Sequence, residues 1–335
     1  MSDTSGLEPR TPAGPAGITS VAADAPLTGD GTSGSHLGIS PATSGARGTM
    51  SAADKTKLDN SVLGLGWIFG DGEDGDVTLG AGTTTLTADM FYRNLTIPSG
   101  ATLNTGNFKV YVSQTLQLDS GGSINRNGNS ASGSTAGGSL SNTGTLSGAG
   151  TGGINGLNTN GGAALGATNS PWQPSASSGS GGNGSGGTGG AGATHTLLAS
   201  RGRMRDFLTI INGSVSMTSG NAALPGGISG GSGAGNGTQP GGGAGGGGGP
   251  MAIYAYNAVL NGTITSAGGN GGNAPNTDTG GGGGGTGGYV IFVYHTVGGL
   301  GLGQITAPGG SGGTGNGAGT AGTAGGAGVV RAMQL

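Results

Sequence analysis

The chain has 335 residues, a formal net charge of −3, charged residues at 7% and aromatic residues at 4%. This balance excludes a conventional core beneath a charged surface along the whole length, and the lack of an extended basic cluster argues against a nucleic-acid partner. Cysteine is absent, which removes disulfides and thiolate metal sites.

Residues 1–60 read as a linker rich in Ala, Pro, Ser and Thr. They show no basic start followed by an apolar run, so no signal peptide is expected and synthesis in a cytoplasm is. One short helix is predicted there, Ala52–Leu58, capped by Ser51 with Asp54 at its third position. A helix this short is not stable alone in water. It needs a partner, either the next domain or copies of itself in an oligomer.

Residues 61–128 read as a β-rich domain. The apolar word Trp67–Phe69 comes first, followed by Val77–Leu79, Thr83–Thr87, Asn94–Ile97, Thr102–Leu103, Phe108–Val112 and Thr115–Leu118. Leu95/Ile97, Val110/Val112 and Leu116/Leu118 alternate at the half-buried strand period. Short strands, short turns and no helical gaps point to a small sandwich or one edge of a β-solenoid.

Residues 129–335 form a glycine-rich repeat domain. Glycine totals 88 residues and proline 13, a combined share of about 30% that by base rate marks low complexity. Three features point to order instead. A word of Gly, any residue, Ile or Leu, three residues and Gly recurs at Gly122–Gly128, Gly144–Gly150, Gly262–Gly268 and Gly303–Gly309, with a looser copy at Gly213–Gly220. Apolar strands, Met251–Tyr256 and Tyr289–Tyr294, abut the glycine runs. Finally, Asp206, Asp278 and Arg331 are the sole charges from Asp206 onward, unlike the charge-rich signature of disorder. Without side chains, helices of the polyproline-II type can pack side by side and bond through their backbones. Ordering a residue costs roughly 1–2 kcal/mol and a net hydrogen bond returns about 0.5–1.5 kcal/mol, so such layers need the apolar strands as an anchor. The expected fold is therefore mostly β, with ordered polyglycine-II-type segments.

Two segments resemble a known family. Gly38–Asp59, which contains Gly48-Thr-Met-Ser-Ala-Ala-Asp-Lys-Thr-Lys-Leu-Asp59, is similar to a segment common in bacteriophage tail fibre and tail spike proteins, where it leads into a following fibre or receptor-binding domain. The glycine runs resemble the tip adhesins of T-even-like long tail fibres, in which polyglycine-II helices form a sandwich and the loops between them contact the host receptor. The resemblance implies a virion protein, often trimeric. Its N-terminal region would join other tail or fibre proteins, and its partner would be a bacterial surface glycan or outer-membrane protein. Receptor contacts are then expected at Trp172 and Gln173 and at Asn273, Asn276 and Asp278.

The residues themselves suggest little chemistry. Polysaccharide cleavage needs paired carboxylates, and after Asp119 the chain offers Asp206 and Asp278 alone. Catalysis and cofactors are not expected. His36, His195 and His295 are isolated, and His295 reads as a structural residue at a strand end. Asp71, Glu73, Asp74 and Asp76, interleaved with glycines, could wrap a hard cation or form a solvated turn. Arg201, Arg203 and Arg205 could meet an acidic glycan or guard a strand edge. Trp172 could stack on a sugar or plug a gap between subunits. Two other functions fit the same chain: a purely structural fibre or decoration protein, and an ice-binding protein, for which Thr83–Thr85 is the suggestive word.

Overall fold

The computed structural model describes residues 68–335 apart from 142, 147–149, 166–176 and 195–225, together with two short paired strands nearer the N-terminus. The chain divides into two compact units, Met1–Leu65 and Gly66–Leu335. In the first, β1 (Leu27–Thr28) pairs antiparallel with β2 (Gly38–Ile39). The predicted helix Ala52–Leu58, Trp67, Trp172, Gln173, His36, His195, the three arginines at 201–205 and the repeat at Gly213–Gly220 lie outside the described residues.

The second unit is built from two parallel sheets. A long sheet contains β3 (Gly75–Thr78), β5 (Met90–Ile97), β7 (Lys109–Leu118), β9 (Met251–Leu260), β11 (Tyr289–Gly299) and β13 (Val329–Gln334), side by side in that order. A second sheet stacks β4 (Gly82–Thr85), β6 (Ala101–Asn104), β8 (Ser123–Asn125), β10 (Thr263–Thr265) and β12 (Ile305–Thr306). Each coil of chain runs along a long strand, turns, and runs along a short one. The fold is mostly β, as the sequence suggests.

Between the sheets lies the core. Leu95, Leu116, Ile97, Leu118, Ile253, Leu260 and Phe292 from the long strands, and Leu103, Ile124 and Ile264 from the short ones, have no exposed surface. The recurring glycine–isoleucine word marks the short strands: Ile124 stands in register with Ile264, and Ile264 with Ile305. In the copy at Gly144–Gly150 the described residues form no strand. Leu146 instead packs as a buried residue whose N–H donates to Asn107 O at 2.9 Å. On the other face of the long sheet, Phe91, Tyr111 and Tyr254 stack at centroid distances of 4.7 and 4.8 Å, the spacing of adjacent strands.

The expected boundary at 128/129 crosses both sheets. β7 pairs directly with β9 and β8 with β10, so residues 126–250 leave between two adjacent strands and return. Shorter excursions, 266–288 and 307–328, follow β10 and β12. The β-rich part and the glycine-rich part thus share one core.

The legs of the excursions run parallel to some neighbours and antiparallel to others, and they bond through their backbones with a period of three. Segment 280–288 is the clearest case. Residues 280, 283 and 286 donate to Ala234, Gly231 and Ile228; residues 281, 284 and 287 donate to Thr320, Thr323 and Gly326; residues 282, 285 and 288 donate to Gly272, Gly269 and Ser266. Carbonyls of the same segment accept from three further runs: Gly242, Gly245 and Gly248; Gly179 and Gly182; and Gly310 and Gly313. One segment therefore touches six neighbours, at N···O distances of 2.7 to 3.1 Å.

This packing explains why glycine is required. A Cβ built on Gly284 would meet Gly310 O, on Gly283 Gly179 O, and on Gly285 Gly246 O, each inside van der Waals contact. Outside the bundle the restriction lifts. Pro308, Ser311 and Thr314 recur every third residue and are exposed, as do Ala321, Ala324 and Ala327. The number of glycines per triplet thus reports how many sides of a segment are covered.

The junction between strand and glycine segment is held by Arg126, which is 5% exposed. Its Nε donates to Asn107 Oδ1 at 2.6 Å, and its Nη2 donates to Ser141 O at 2.9 Å and Oγ at 3.1 Å. Burial lowers its pKa from the usual arginine value.

Two outcomes follow for thermal unfolding by calorimetry. Gly284→Ala should destabilise the protein by about 1–3 kcal/mol or more, as overpacking does, whereas Ala324→Gly should cost no more than about 1 kcal/mol, through unfolded-chain entropy. Arg126→Met, which removes charge-assisted bonds at a buried site, should cost about 1–3 kcal/mol.

Candidate functional site at the distal loops

Every excursion leaves from a short strand, reverses, and returns to a long strand, so the reversals gather away from the sheets. Among the described residues they comprise 132–135, 157–160, 184–187, 236–239, 273–279 and 315–319. Two of them close as tight bridges, Ser132 with Thr135 and Gly184 with Gly187.

Hydrogen bonds tie the reversals to each other. Asn236 Nδ2 donates to Thr277 O at 3.1 Å, and Asn276 Nδ2 to Pro240 O at 3.0 Å. Ser185 N donates to Asp278 O at 2.9 Å, and Gly237 N to Asn158 O at 2.7 Å. Ala318 N donates to Asp278 Oδ1 at 2.8 Å. Asp278 has a positive φ of 59°, a conformation that Asp tolerates better than most residues. Loop 236–239 is fixed from within, since Asn236 Oδ1 accepts from the backbone N–H groups of Thr238 and Gln239 and from the Thr238 hydroxyl.

Asn273, Asn276 and Asp278 therefore do lie together on one loop at this end. Each also serves the scaffold: Asn273 Oδ1 accepts from Thr314 N at 2.9 Å, and Asn276 and Asp278 make the bonds just described. Asn273 is nonetheless exposed, and other polar side chains are presented outward beside it. Asn158, Thr159, Asn160, Ser185, Thr238, Gln239, Thr277 and Asn316 are exposed. The sequence signal for them is a break in the glycine triplets by consecutive polar residues, as in Asn236-Gly-Thr-Gln-Pro240 and Asn273-Ala-Pro-Asn-Thr-Asp-Thr279. This surface is polar and nearly uncharged. Beyond Asp119, Asp278 is the one carboxylate among the described residues.

The acidic cluster at 71–76 is occupied by its own neighbourhood. Asp76 Oδ1 and Oδ2 accept from Arg93 Nε at 2.8 Å and Nη2 at 2.6 Å, and Asn94 Nδ2 adds a bond at 2.8 Å. Asp74 Oδ2 accepts from Phe91 N at 2.6 Å, and Asp71 Oδ1 from Glu73 N at 3.2 Å. These bonds pin the start of β3 to β5. Among the described residues no group of three or more acidic, His or Cys side chains is placed to hold a metal ion. His295 stacks on Tyr256 at 4.7 Å, and its Nδ1 lies 2.7 Å from Leu335 O, the hydrogen-bonded position expected of a structural histidine.

No protein-family model matches this chain, and neither does any curated protein or solved structure. Among the described residues, no helix is long and apolar enough to cross a membrane.

Hydrogen bonds from Arg93, then from Asn94, lower the Asp76 pKa from 3.8 to about 2. A carboxyl whose folded pKa is depressed stabilises the fold above its unfolded pKa and loses that contribution as pH falls through the folded value. The melting temperature of the wild type should therefore exceed that of Arg93→Leu at pH 5, and the two should converge as pH falls from about 4 to about 2.

Proposed function

We propose that this chain is a non-enzymatic attachment protein of a tailed bacteriophage, a tail-fibre or receptor-binding component acting as an adhesin. In this reading the two parallel sheets are a β-solenoid and the glycine segments a polyglycine-II-type bundle anchored on it. The N-terminal region joins other tail or fibre proteins, three copies associate, and the distal loops meet a glycan or outer-membrane protein on the host surface. The protein works on the virion, at a tail fibre or tail tip.

The observation that carries the reading is the gathering, among the described residues, of six reversals at one end of a scaffold bonded mainly through its backbone. Backbone bonds together with the side chains of Asn236, Asn276 and Asp278 fix the loops, while other outward side chains are left for recognition. Loops on a rigid scaffold are the usual place for binding residues. The near absence of carboxylates beside them supports binding over hydrolysis. The resemblance of Gly38–Asp59 to tail-fibre segments supplies the location.

A purely structural fibre or decoration protein is the second reading. It is favoured by the engagement of Asn273, Asn276 and Asp278 in scaffold bonds.

Labelled full-length protein incubated with a panel of bacterial strains separates the two. Adsorption to a subset of strains is expected, with loss in Thr238→Arg and Thr277→Arg at unchanged melting temperature. Failure to adsorb to any strain, or adsorption indifferent to both substitutions, would leave the structural reading. Sedimentation equilibrium should give three times the chain mass; a stable monomer would refute the trimer.

A further inference from the structure

The outward face of the short-stranded sheet carries a grid of hydroxyls and amides. Register aligns Thr83, Thr102, Ser123 and Thr263 in one column. Two residues further along each strand, Thr85, Asn104, Asn125, Thr265 and Thr306 form another. Between them, Leu103, Ile124, Ile264 and Ile305 point into the core, where none is more than 6% exposed. Alternation along a strand turns the flanking columns to the opposite side.

The grid is regular in both directions. All pairings in this sheet run without a register shift, whereas three pairings in the long sheet contain one. Rows are about 4.7–4.9 Å apart and the columns about 6.6 Å apart. Neighbouring rows hold each other's rotamers: the Thr102 and Ser123 hydroxyl oxygens are 2.8 Å apart, and Thr306 Oγ1 donates to Thr265 Oγ1 at 3.5 Å. Such side-chain ladders oppose sheet twist. The order extends into the glycine segments, where Asn270 Oδ1 accepts from Ser311 N at 2.9 Å in the next coil.

Neither column contains a charged or aromatic residue. A sugar-binding face would use aromatic rings for stacking, and none is offered. The electrostatic match is to a neutral lattice whose members each donate and accept hydrogen bonds. We propose that this face binds ice, its fixed hydroxyls holding the first water layer in lattice positions. The inference does not rest on the adhesion reading, because the columns lie on the sheet and not on the distal loops.

Full-length protein is tested for freezing-point hysteresis and inhibition of ice recrystallisation, beside Thr263→Lys, Thr306→Lys and Ala321→Lys. The first two place a charge in the grid and the third places one outside it. Hysteresis in the wild type and in Ala321→Lys, with loss in either grid variant that keeps the wild-type melting profile, is the expected result. Absence of hysteresis in the wild type would overturn the proposal, as would equal activity in all four proteins. Soluble-glycan binding that is lost in the grid variants, without any effect on ice, would also overturn it and assign the face to carbohydrate. Cell adsorption by the grid variants should match the wild type, so the two readings fail separately.

Discussion

The fold depends on one constraint: two backbones approach closely enough to bond only where neither carries a Cβ on the contact side. Segment 280–288 satisfies it on every side and is glycine at all positions but Thr286. Thr286 is accommodated because its Oγ1 is itself used, accepting from Ile228 N at 2.8 Å. Each residue in the interior of this bundle gives one N–H and one C=O to other segments. That is about one bond per residue, close to the cost of ordering the chain. Net stability must come from elsewhere, and the apolar column between the sheets supplies it.

The two halves of the unit therefore depend on each other. The sheets set the spacing and direction in which glycine segments leave and return. Arg126 sits at one such departure, and its bonds to Asn107 and Ser141 join the third coil of the sheets to the first glycine excursion. Where segments face solvent, side chains complete the bonding that the lattice cannot. Asn127, Asn270 and Asn273 accept from N–H groups of the next coil. Thr320 and Thr323 accept from Asn183 N and Ser180 N. Asparagine and threonine at these positions are part of the scaffold before they are anything else.

Much of this architecture can be read in the sequence. The glycine–isoleucine word locates β8, β10 and β12 because each short strand needs one inward apolar residue after a tight turn. Order in the glycine runs is legible from the strands that abut them. Two things are not legible. Nothing in residues 109–118 states that their partner lies at 252–260, since parallel pairing across 125 or more residues leaves no local mark; hence the expected domain boundary falls within a sheet. The repeat copy ending at Gly150 matches in letters but has no free strand edge beside it, because β8 and β10 already pair. At the loops, Asn273, Asn276 and Asp278 are found by residue type, whereas the rest of the exposed set, Thr238 and Thr277 among it, emerges only once the triplet phase is known.

The lattice of amide bonds has a thermodynamic consequence. Unfolding an ordinary domain exposes mostly apolar surface and raises the heat capacity by about 12–15 cal/mol/K per residue, and polar exposure acts with the opposite sign. The bundle around 280–288 buries peptide groups with few carbons beyond Cα, so its unfolding adds little heat capacity or even subtracts some. A small heat-capacity change flattens the curve of stability against temperature. The glycine bundle should therefore add little to the weakening on cooling, which falls on the apolar column between the sheets.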